Sequence, residues 1–192
     1  AAVIILYGLF FAPPAPDPKQ INAKKNNNIQ TTTSDAPTLE ESDEVIKISR
    51  NEALKENKRI RFENNNIKGS ISLVGSTIDD LEFKKFKEKL NGDNNVTLLN
   101  PRKVKNGYYI ETGWVTTNKN INIPNSKSIW EIKGNNKLTP NSPINLFWKN
   151  DQNIKFEKEI SIDDQYLFTV KQIIINNSEK TYNFYPYGQI IR

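Results

Sequence analysis

From Ile60 onward, apolar residues recur at every second position. Ile60 with Phe62, Ile71 with Leu73, Ile78 to Phe83, Val96 with Leu98, Tyr108 with Ile110, Ile129 to Ile132 and Ile144 to Trp148 all follow this rhythm. It continues through Ile154, Phe156, Ile160 and Ile162, then Tyr166, Phe168, Val170 and Ile174, and ends at Tyr182 and Phe184. Because successive side chains of a strand point to opposite faces, this period predicts half-buried strands. Turn-forming clusters separate them: NGDNN from Asn91, KNG from Lys105, IPNSK from Ile123, GNN from Gly134 and TPNSP from Thr139. The segment FKKFKEKL breaks the period, since Phe83, Phe86 and Leu90 fall on one face of a helix for about two turns. Upstream, Ser49 followed three residues later by Glu52 is a capping box that opens a short helical turn in SRNEALKEN. Many short strands joined by hairpin turns predict an all-β, antiparallel sandwich over residues 49–192.

The pattern ahead of that region is different. AAVIILYGLFFA is apolar and uncharged, and it stops at Pro13. As a helix it would span about 18 Å, short of the roughly 30 Å hydrocarbon core of a bilayer. Residues 1–12 therefore read as a truncated transmembrane helix, with the hydrophobic region of a signal peptide as the alternative. No basic stretch precedes the run, and the prolines of FAPPAPDP sit where a peptidase would need an extended site. Residues 13–48 are rich in proline, then in asparagine and threonine, then in acids, which predicts a flexible tether.

Composition removes chemistry rather than adding it. The 192 residues include no histidine and no cysteine, so disulfides, thiolate metal sites and imidazole acid/base catalysis are all excluded. The net charge of +5 is uneven: residues 13–44 hold three lysines against six acids, and residues 45–192 hold 24 basic side chains against 16 acids. The lysines interleave with acids, so they read as solvated surface, and PRKVK at Pro101–Lys105 reads as an exposed turn rather than a nucleic-acid contact. The pairs Asp79–Asp80 and Asp163–Asp164 sit at strand ends and turns, where aspartate bonds to local backbone. Gly69 and Gly75 lack the Gly-Lys-Ser of a phosphate loop and mark a bulge or close sheet packing. Tyr109, Trp114, Trp130 and Trp148 are the candidate contacts for a sugar or peptide in a cleft, although aromatics on alternating strands usually fill a sandwich core.

Several blocks of the chain resemble the N-terminal part of bacterial YidC/Oxa/Alb family membrane protein insertases. They are SRNEAL, GSISLVGSTIDDL (Gly69 to Leu81), VTLLNP (Val96 to Pro101), YYIETGWV (Tyr108 to Val115), LTPNSPINLFW (Leu138 to Trp148), FEKEISIDDQYLFTV (Phe156 to Val170) and YPYGQIIR (Tyr185 to Arg192). The GSI…IDDL and YY…GWV blocks are most similar to the alphaproteobacterial branch. The resemblance implies a periplasmic β-supersandwich related to galactose mutarotases, which follows a first transmembrane helix in the bacterial inner membrane. It implies nascent membrane proteins and the Sec translocon as partners, no nucleic acid, no cofactor or metal, and no catalytic residue. Insertion in this family is the task of a C-terminal bundle of five membrane helices, and no second apolar run of about twenty residues occurs here. The chain ends straight after a strand, so an incomplete sandwich with an unpaired edge and poor solubility in isolation are expected. The rival reading is a periplasmic carbohydrate-binding or carbohydrate-active sandwich. Mutarotase-type epimerases rely on histidine, which this chain lacks.

Overall fold

A computed structural model describes residues 48–192. The expected membrane anchor at residues 1–12 and the tether at residues 13–48, apart from Ile48, lie outside the described residues. The capping box forms as expected at the start. The Ser49 hydroxyl accepts from the Glu52 backbone N–H, the Glu52 carboxylate accepts from the Ser49 N–H at 2.9 Å, and one helical turn follows as α1 (Arg50–Ala53).

Eleven strands follow among the described residues, in two sheets. The larger sheet holds β1 (Arg59–Glu63), β2 (Ile67–Ser72), β3 (Ile78–Lys87), β4 (Asn95–Leu99), β5 (Tyr109–Val115), β7 (Lys137–Leu138) and β11 (Tyr185–Ile191). Its order is β11-β5-β3-β2-β1-β7, and β4 pairs separately with β3. The smaller sheet runs β10 (Phe168–Asn176), β9 (Ile154–Ile162), β8 (Ile144–Lys149) and β6 (Glu131–Lys133). Every pairing between named strands is antiparallel except the two-residue contact of β7 with β1. The chain is thus an all-β antiparallel sandwich, as the period of two predicts.

The sheets pack face to face through the apolar phase of their strands. Ile60 and Phe62 of β1, Ile67 and Ile71 of β2 and Leu81 of β3 meet Ile144 and Leu146 of β8 and Ile154, Phe156 and Ile160 of β9 in one buried cluster. Phe156, fully buried, gathers Trp114 at 5.2 Å, Phe184 at 5.4 Å and Trp148 at 5.8 Å between ring centroids. The Trp114 and Phe184 rings meet it edge-on, and such pairs contribute about 0.5–1.5 kcal/mol beyond their burial.

Four local expectations need correction. FKKFKEKL is not helical: β3 runs through it to Lys87, because Phe83 pairs with Ile67 and the Lys84 N–H donates to the Asn66 carbonyl at 2.8 Å. A ladder to a neighbouring strand outweighs a two-turn helical spacing that has nothing to bury its face against. In β4 the inward residue is Leu99, not Leu98, since the register slips between Leu81 and Glu82 and reverses the phase. Tyr166 lies in the turn between β9 and β10. Tyr182 and Phe184 lie outside any strand, yet they pack on the core through Phe156.

Candidate functional site: the charged outer face of the larger sheet

The strand pleat divides the four aromatic candidates. Trp114 is in phase with Ile110 on the inner face of β5, and its ring stacks on that of Trp130 with centroids 6.3 Å apart, both rings buried between the sheets. Trp148 is half-buried at the core edge against Phe156. Tyr109, in the opposite phase, borders a cleft of about 250 Å³, with the Arg102 guanidinium 5.2 Å from its ring centroid. The four do not converge on one groove, and Trp148 is the one with appreciable exposed surface.

Charged side chains instead line the outer face of β1, β2 and β3. The register sets Ser70 opposite Asp80 and Lys68 opposite Glu82, and the Ser70 hydroxyl donates to the Asp80 carboxylate at 2.6 Å. Arg59 of β1 forms an ion pair with Asp79, and its Nε donates to Ser70 Oγ at 2.7 Å. From α1, Arg50 reaches across the sheet to Asp80 and to Glu82, the latter at 3.0 Å. The adjacent acids flagged in the sequence are therefore anchored to two arginines. Burial raises the Asp79 carboxyl above the ordinary range, against the opposing pull of Arg59. Among the described residues no group of acids is placed to hold a metal ion. Asp163 of the second pair accepts from the Gln165 and Leu167 backbone N–H groups, both at 2.9 Å, which closes the β9–β10 turn.

Above this layer lies a cleft of about 580 Å³, bordered by Arg50, Arg59, Arg61, Lys68 and Lys137 with Asp80 and Glu82 among its acids. Arg61 and Lys137 are register partners across β1 and β7 and make no ion pair among the described residues. The cleft presents cations and hydrogen-bond donors, and the Ser70 hydroxyl in its lining is held between the Arg59 Nε–H and the Asp80 carboxylate.

One residue escaped the sequence reading. Lys158 is buried in β9, in phase with Phe156 and Ile160, and that phase is the signal that could have revealed it. Its ammonium donates to Ser76 Oγ and, at 2.5 Å, to the Thr112 carbonyl, and it lies 4.7 Å from the Trp130 ring centroid. Burial lowers its pKa to about 7, against the pull of Glu111.

The comparisons with known proteins agree on one family. Residues 59–192 match the model of the YidC periplasmic domain. The chain belongs to the YidC periplasmic domain family. It is 56% identical over 194 aligned positions to the membrane protein insertase YidC of Pelagibacter ubique, an alignment that covers 100% of this chain and 34% of the relative. The Brucella suis protein of the same name is 37% identical across 76% of this chain and 24% of its own length. The Rickettsia bellii protein is 41% identical across 70% of this chain, again 24% of its own length. The chain thus spans about a quarter to a third of the length of these relatives. Their names lend the carbohydrate reading no support. No helix among the described residues is long and apolar enough to cross a membrane.

Proposed function

We propose that this chain is the periplasmic-side portion of a bacterial inner-membrane protein insertase and chaperone, and that its sandwich is a non-catalytic scaffold. One observation carries the reading: 56% identity along the full chain to a protein named as a membrane protein insertase. The outer-face chemistry is in keeping with it, because the adjacent acids there, Asp79 and Asp80, are committed to ion pairs with Arg59 and Arg50. As partners we propose nascent membrane proteins, and components of the Sec translocon that deliver them, contacted through exposed surfaces of the sandwich.

The test is a chimera in which this chain replaces the matched third of the Pelagibacter ubique insertase, expressed in cells depleted of their own insertase. Insertion of a labelled membrane protein is read by its accessibility to protease. Restored insertion is expected, with the sandwich reached by protease from the periplasmic side. A chimera that accumulates in the membrane but restores nothing, or that exposes the sandwich to the cytoplasm, overturns the proposal.

A further inference from the structure

Of the nine large apolar residues exposed among the described residues, five gather at one end of the sandwich: Phe86, Leu90, Leu98, Tyr166 and Leu167. Leu90 is 97% exposed, at the tip of the β3–β4 connection, where the Gly92 N–H donates to the Lys89 carbonyl at 3.0 Å. Phe86 stands edge-on to Phe83 at 5.6 Å, and Phe83 to Tyr166 at 5.9 Å. With Leu98 they border an apolar hollow of about 380 Å³. Monomeric proteins seldom leave so many large apolar side chains together in water without a partner.

The charges around the patch select the partner. From Phe83 to Asn94 there are four lysines against two acids, Glu88 and Asp93. Lys84 is held by Glu63 at 2.9 Å, and Lys87 donates to the Asp93 carbonyl at 2.8 Å. Lys85 and Lys89 make no ion pair among the described residues. The β9–β10 turn carries Asp163, occupied by the backbone of that turn, and the exposed Asp164.

We infer that the β3–β4 tip, with the Tyr166–Leu167 turn beside it, is a membrane-contacting surface that lays Leu90, Phe86 and Leu167 among the headgroups of an anionic bilayer. Apolar tips enter the boundary of headgroups and acyl chains, aromatic rings settle at that level, and long lysine stems bring their ammonium groups to lipid phosphates. Free cations beside exposed apolar side chains fit a lipid surface that is anionic outside and apolar beneath. An apolar peptide or a second copy would find no use for the lysines. The inference rests on this surface and not on the insertase reading, which supplies only a bilayer within reach.

Because the chain has no cysteine, Leu90→Cys in the full 192-residue chain gives a single labelling point for an environment-sensitive fluorophore. Vesicles of phosphatidylglycerol and phosphatidylethanolamine should move its emission to the blue, and phosphatidylcholine vesicles should move it far less. The same label at Ile190, 66% exposed elsewhere, should report no such change. Adding Lys85→Glu and Lys89→Glu should weaken the anionic-vesicle response by at least about tenfold at low salt. Three results overturn the inference: a Leu90 label that stays in water while the chain sediments with vesicles, a blue shift that needs only higher protein concentration, and one that needs only an apolar peptide. Vesicles hold neither translocon nor client, so failure here leaves the insertase reading standing, and failure of the chimera leaves this one standing.

Discussion

Lys158 carries an ammonium that burial penalises at neutral pH. Its folded pKa is about 7 against an ordinary 10.5, so between those values the folded state releases a proton that the unfolded state keeps. The unfolded state then binds more protons, and stability rises with pH across that window; below about 7 both states are charged and the penalty is constant. Every tenfold weakening of proton affinity on folding corresponds to about 1.4 kcal/mol. Lys158→Met should therefore stabilise the fold at pH 7 by a few kcal/mol, and its advantage over the parent should shrink as pH approaches 10 in denaturant titrations. An advantage that does not change with pH would show that the ammonium is solvated in the folded state. Gly69 makes the opposite case, that of a side chain the fold excludes. A Cβ there would lie 1.9 Å from the Asp80 carbonyl oxygen and 2.6 Å from the Phe62 ring, so Gly69→Ala should cost at least about 1–3 kcal/mol. Unchanged thermal stability would contradict that close approach.

At the scale of elements, the charged layer clamps α1 and β1 onto β3. Arg59 and Asp79 are both about nine-tenths buried, so Arg59→Met alone strands a carboxylate and should cost about 3–5 kcal/mol. Arg59→Met with Asp79→Leu should recover most of that loss, and a double variant no more stable than the single would mean that the pair is not coupled. Ser49→Ala, by contrast, removes only the helix cap and should cost about 1 kcal/mol. The strands of this layer were legible because each residue's phase is also its burial: Ile60 and Phe62 point in while Arg59 and Arg61 point out. The layer itself was not legible, since which arginine meets which acid depends on the bulge between Ser70 and Ile71, and period counting does not register an inserted residue. The same limit explains Leu98 and Leu99. Phe83, Phe86 and Leu90 deceived for another reason: their helical spacing is real, but beyond Phe83 the strand leaves the core and its apolar residues follow the demands of an exposed surface. Of the four aromatic candidates, the sequence could place each on a strand but could not say which face of which sheet would be covered by the other.

Among the described residues, two sheets bury an apolar cluster between them, and their surfaces include a cationic cleft over β1–β3 and an apolar, lysine-rimmed tip at the β3–β4 turn. Both surfaces fit the scaffold role proposed for this chain, whose relatives are named membrane protein insertases. The central claim is tested most directly by photo-crosslinking from the sandwich within the Pelagibacter ubique chimera while a membrane protein is being synthesised. Photoreactive residues would replace Arg61 and Lys137 in the cleft, Trp148 at the core edge, and Leu90 at the tip. Adducts with the nascent chain or with a translocon subunit, formed during insertion and absent when synthesis is stopped, are the expected result. A chimera that inserts its client normally while none of these positions yields such an adduct would contradict a role for this domain as a scaffold for insertion.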